Sequence, residues 1–176
     1  MFKKNLNQLK KLRDLKIFSA GRAGFIAAIF LCLGALLLAG CQTVPTLSPM
    51  NLAEPGWTVS QGQAVWRQDK KSPEIAGEIL LATNIDGRTF VEFTKTPLPL
   101  LIAETTAHSW QIHSVPDNKT YSGRGNPPIR AIWLYLPRCL TGATPPKPLT
   151  WRRTENEGWH LENSRTGEFV EGYLSP

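Results

Sequence analysis

EIAGEILLATNIDGRTFVEFT, residues 74–94, decides the fold class. Ile75, Gly77, Ile79, Leu81 and Thr83 fall on one face of an extended chain, and Ala76, Glu78, Leu80 and Ala82 on the other. This period-two alternation predicts a half-buried β-strand over residues 74–83. Asn84-Ile85-Asp86-Gly87 predicts a hairpin turn, with Gly87 able to take positive φ. Residues 88–94 return as a second strand, with Phe90 facing away from Val91 and Phe93. An antiparallel hairpin is the unit to which the neighbouring segments add.

On its N-terminal side, residues 57–68 (WTVSQGQAVWRQ) fit one strand, or two short ones around Gly62, and Ser72-Pro73 marks a break. On its C-terminal side, Pro97-Leu98-Pro99-Leu100 interrupts the pattern. Residues 101–104 and 109–113 are further short strands, with a turn at Val115-Pro116-Asp117-Asn118. Residues 123–128 form a breaker-rich loop. IRAIWLYL, residues 129–136, admits a short helix or a buried strand. Ile129, Ile132, Trp133 and Leu136 share a helical face, and Pro137 would then kink or stop the helix. After an extended linker at residues 144–148, three strands at 150–153, 159–162 and 168–174 close the chain. Short strands, frequent turns and little helix predict one mainly β domain with an antiparallel sheet that curls.

Ahead of this domain stands FIAAIFLCLGALLLAGC, residues 25–41. Seven basic residues and one acid precede the apolar run, the pattern of a secretory signal. The run ends in Leu38-Ala39-Gly40-Cys41. Small residues allow close approach of a peptidase, and the Cys offers a thiol for lipid, so the stretch reads as a bacterial lipobox with Cys41 lipidated. An uncleaved membrane helix needs ~20 apolar residues; this run comes close to that length, but no basic stop-transfer cluster follows it. The expected organisation is a signal peptide at 1–40, a lipidated N-terminus and flexible tether at 41–56, and a β-rich domain at 57–176.

The net charge of +6 belongs to the leader; beyond Cys41 thirteen bases and thirteen acids cancel. Near-neutrality removes the usual electrostatic case for nucleic acid. Cys139 is left without a cysteine partner once Cys32 is removed and Cys41 is lipidated. Flanked by Leu136 and Leu140, it reads as a small buried apolar residue. His108, His113 and His160 lack metal-ligand spacing, and no nucleophile elbow, phosphate loop, HExxH or CxxC occurs. The expectation is a protein without metal, cofactor or catalytic residues, and not an enzyme.

All six tryptophans lie beyond Cys41: Trp57, Trp66, Trp110, Trp133, Trp151 and Trp159. They either fill the core or line a curled sheet whose interior stays partly open as an acyl pocket. The order of four short motifs resembles the LolB family, outer-membrane lipoproteins that receive lipoproteins from the periplasmic carrier LolA. These are the Trp-x-x-x-Gly opening of residues 57–68, FVEFTKTPLPL at 90–100, LPRCLTGATP at 136–145, and Glu157-Gly158-Trp159-His160-Leu161. Two departures stand against it: the segment before Ile129 is short for the family's cap helices, and the chain ends soon after Trp159.

The resemblance implies an incomplete antiparallel β-barrel enclosing an apolar cavity. Its ligand would be lipoprotein acyl chains, its donor a LolA-like carrier, and Leu98 would be a membrane-inserting loop tip. It also implies that Gln42, where an Asp would favour inner-membrane retention, permits export to the outer membrane. The inward faces then nominate Ile79, Leu81, Val91, Phe93, Trp110, Ile112, Trp133 and Leu136 as cavity wall. The reading is of a monomer, held to the membrane by its lipid, that helps insert acylated proteins. The alternative is a structural or assembly lipoprotein that binds a protein partner without ligand transfer.

Overall fold

The computed structural model describes residues 46–155 and 157–175. Cys41 and the apolar leader, where signal and lipid are expected, lie outside the described residues. Nine strands form one antiparallel sheet: β1 (Trp57–Arg67), β2 (Ile75–Asn84), β3 (Thr89–Lys95), β4 (Leu98–Thr105), β5 (Ser109–Ser114), β6 (Lys119–Arg124), β7 (Leu149–Arg153), β8 (Trp159–Asn163) and β9 (Phe169–Leu174). Their spatial order is β6-β5-β4-β3-β2-β1-β9-β8-β7, so the sheet is not closed. Two up-and-down runs meet where β1 pairs β9.

β6 and β7 are successive in sequence but lie at opposite edges. The chain between them must therefore cross the whole sheet. That crossover carries a 3-10 turn, Ile132–Leu134, and a short helix α1, Leu136–Leu140. Pro137 sits in the first turn of α1 rather than ending a helix. A proline there loses no hydrogen bond, because first-turn N–H groups have no partner within the helix.

The central hairpin forms as the sequence predicts, with Gly87 at φ of 87°; its register pairs Ile79 with Phe93 and Leu81 with Val91. Around it one open alternative is decided and two readings change. Residues 57–67 form one continuous strand, because Gly62 marks a close approach and not a break: a Cβ there would strike the Tyr173 carbonyl of β9. The proline-leucine stretch does not interrupt the sheet but opens β4, after a turn at Thr96 and Pro97. A bulge between Phe93 and Thr94 leaves Leu100 unpaired. Both Leu100 and Leu101 then pack with the core. Finally, β6 is a strand that lacks apolar alternation; its Gly123 is covered by the Trp110 ring, 2.5 Å from where a Cβ would sit.

The segment expected as a flexible tether is in part docked. The Leu47 N–H donates to Gln111 Oε1 at 2.9 Å, and the Ile85 N–H to the Gly56 carbonyl at 3.1 Å. Burial holds the Glu104 carboxyl above its usual range, against the opposing pull of the Met50 N–H and of the Gln111 amide, which donates to it at 3.2 Å. Only six residues then span Cys41 to Leu47, a reach of at most ~20 Å.

Candidate functional site

The inner face of the sheet is the one on which the crossover lies. Alternation brings Ala64 and Trp66 of β1, Ile79 and Leu81 of β2, and Val91 and Phe93 of β3 to this face. Leu161 of β8 and Val170 of β9 join them in the same apolar cluster. Gly77 is needed in this row because a Cβ there would strike the Thr94 carbonyl of β3, with the Phe93 ring next at 2.9 Å. From the other side come Ile132, Trp133, Leu134 and Leu136 of the crossover, each 2% exposed or less. Trp133 is the hub: its ring centroid is 5.2 Å from Phe93 and 5.7 Å from Trp66, the latter edge-on.

Six of the eight expected wall residues therefore meet here: Ile79, Leu81, Val91, Phe93, Trp133 and Leu136. Trp110 and Ile112, on β5, are half-buried and pack at the margin of the same cluster. The six meet as a packed core. A side chain facing a hollow wide enough for water would carry accessible area, yet Phe93 and Leu136 carry none and Ile79 and Val91 only 1%. The crossover occupies the space between the walls. The indole N–H groups of Trp133 and Trp159 have no hydrogen-bond partner among the described residues.

Two clefts open at the margins of this cluster. One, of about 650 Å³, runs over β1, β2 and β9 between Gln63, Glu78, Trp159 and Tyr173. The other, of about 420 Å³, lies along the crossover between Asn126, Ile129, Arg138, Cys139 and the prolines 145 and 146. None of the eight expected wall residues lines either cleft. Leu98 begins β4 at the hairpin tip and is 65% exposed, so it does not pack beneath the sheet.

Two titratable groups border the core. Cys139 of α1 is 1% exposed, and burial pushes its thiol up to about 11. Glu168, at the start of β9, is pushed up to about 7 by burial, with the Trp66 Nε1–H donating to its Oε1 at 3.4 Å. Cys139 is buried, as its flanking leucines predict; Glu168 carried no motif, and its signal was its place at the head of the strand expected at 168–174. On the opposite face, His160 is held between Glu171 at 2.9 Å and Glu162 at 3.4 Å and stacks on Phe169. Among the described residues, no group of three His, Cys, Asp or Glu is arranged to hold a metal ion.

No protein-family model matches the chain, and no curated protein matches it.

Proposed function

We propose that this is a lipid-anchored outer-membrane protein whose sheet takes acyl chains of lipoproteins against its inner face and passes them to the membrane. The crossover acts as a lid that the chains displace. One observation carries the reading: a largely apolar sheet face, its buried Thr89 and Thr105 hydrogen-bonded to each other, is covered by a single short segment that belongs to no strand pair. The resemblance to the LolB family supplies the ligand class and a LolA-like carrier as donor. Leu98, exposed at a hairpin tip, is the side chain suited to enter the bilayer, where it gains roughly 1.5–3 kcal/mol on leaving water.

Magnitudes limit the ligand. Exposing Ile132, Trp133, Leu134 and Leu136 together costs roughly 6–12 kcal/mol at 1.5–3 kcal/mol each. One long acyl chain returns about 11 kcal/mol at ~0.8 kcal/mol per methylene. A single chain roughly balances the lid, whereas two or three exceed it. Direction needs no covalent chemistry, only a membrane in which the acyl chains are more stable than against the sheet.

The near-zero exposure of the interior favours a second reading, a structural or assembly lipoprotein with a permanently closed core that binds a protein partner. The core cluster runs from Ala64 to Leu174, so a domain of residues 46–175 carries its whole core and can be tested alone. Titration with a fluorescent diacyl lipid should give saturable binding, tighter than a single-chain fatty acid, and displaced by a lipoprotein but not by its acyl-free form. Absence of saturable binding by either probe would discard the carrier and leave the closed-core reading.

A further inference from the structure

Every charged side chain in residues 118–154 is basic: Lys119, Arg124, Arg130, Arg138, Lys147, Arg152 and Arg153. All seven are exposed. The neutrality of the described domain thus hides a separation, with seven positive charges on β6, the crossover and β7, and six bases against thirteen acids on the remainder. None of the seven forms an ion pair among the described residues; the Arg153 guanidinium donates to the Leu140 carbonyl at 2.9 Å. The same stretch exposes two apolar side chains, Tyr121 at 53% and Ile129 at 40%. Along the crossover the division is sharp: residues 131–137 are buried, and Arg130 and Arg138 on either side are exposed.

We propose that the outward side of the crossover, where Ile129, Arg138 and the prolines beside Lys147 border one cleft, is a docking surface for an anionic phospholipid bilayer. Arg130, Arg138 and Lys147, without carboxylate partners among the described residues and set around the exposed Ile129, are the composition of an interfacial surface: the cations meet headgroup phosphates while the apolar group enters the boundary. A second copy of the chain fits less well, because five of its thirteen acids are already engaged and the other eight are scattered over β2, β3, β4 and the turns instead of forming one patch. Glu54 and Asp86 bind Arg88, Glu74 binds Arg67, and Glu162 and Glu171 bind His160. The surface lies outside the core, so the inference stands whether or not the interior takes acyl chains.

The test uses the 46–175 domain and vesicles of phosphatidylethanolamine with about a third phosphatidylglycerol, in co-sedimentation at low and high salt. Each contacting base contributes about fivefold in affinity. The triple variant Arg130→Gln/Arg138→Gln/Lys147→Gln should bind about a hundredfold more weakly. The variant Lys70→Gln/Lys71→Gln/Arg165→Gln, which lowers net charge by the same amount elsewhere, should bind within twofold of the parent. High salt should abolish binding. Equal binding to neutral phosphatidylcholine vesicles, equal weakening by both triples, or no vesicle binding overturns the proposal. Capture by polyglutamate without vesicle binding overturns it in favour of an acidic protein partner. Dimerisation lost only in the first triple, without vesicle binding, overturns it in favour of a second copy.

Discussion

Replacing Trp133 by Ala probes both the fold and the lid. The side chain is 2% exposed and touches the rings of Phe93 and Trp66. Truncating a buried Trp costs about 3–5 kcal/mol, from lost transfer energy and the cavity left behind. A domain of this size has ~5–15 kcal/mol in all, so the variant should fold but melt roughly 10–20 °C lower. Urea unfolding followed by the fluorescence of the remaining tryptophans measures the loss. The same change removes part of what an acyl ligand must overcome, by about 2–3 kcal/mol. Folded Trp133→Ala should therefore bind a diacyl probe roughly 30–150-fold more tightly. A stability loss below ~1 kcal/mol would refute Trp133 as the hub of the interior. A probe affinity unchanged or weakened in the folded variant would refute the lid.

Two further outcomes follow from single residues. The Glu168 carboxyl, raised by burial to about 7, stays protonated in the folded state above the pH at which it ionises in the unfolded chain. Its contribution is full below pH ~4.5 and is lost as pH rises toward 7, by up to ~3 kcal/mol. Glu168→Gln should accordingly be more stable than the parent at pH 8 and lose that advantage at pH 4.5, read from urea midpoints at both; parallel curves would refute it. Gly62→Ala places a methyl group against the Tyr173 carbonyl, which forces β1 and β9 apart. It should cost well over the ~1 kcal/mol of an ordinary substitution, whereas Gly87→Ala meets no neighbour and costs only its φ of 87°. Comparing thermal midpoints of the two variants checks the order.

How much could be read from the sequence depended on whether a strand buried one face. Ile79, Leu81, Val91 and Phe93 alternate cleanly, so the central hairpin and its inner row were legible. β6 has no buried row, its Lys119, Thr120 and Tyr121 being exposed, so nothing periodic announced it. Gly62 was ambiguous because a break and a close backbone approach call for the same residue; only the partner strand distinguishes them. Pro137 was misleading for a similar reason, since its effect depends on whether it stands in the first turn or the interior of a helix. The candidate site was legible as a set of inward residues, and six of the eight do converge. Their filling was not, because it depends on β6 and β7 taking opposite edges, a choice of topology that sends Ile132, Trp133 and Leu136 across the inner face. The charge separation was present in composition along the chain, but the total of zero concealed it.

The central claim is that the crossover lifts when acyl chains bind, and Cys139 reports on it directly. It is the sole thiol of residues 46–175, it lies on α1, and it is 1% exposed. With its pKa near 11 instead of 9, its thiolate is about a hundredfold scarcer than that of an ordinary cysteine at neutral pH. Labelling by a thiol-reactive disulfide should be slow in the free domain and should accelerate at least tenfold, saturably, as a diacyl lipid is added. A labelling rate that no concentration of diacyl or triacyl ligand changes, in a domain that remains folded, would contradict the account.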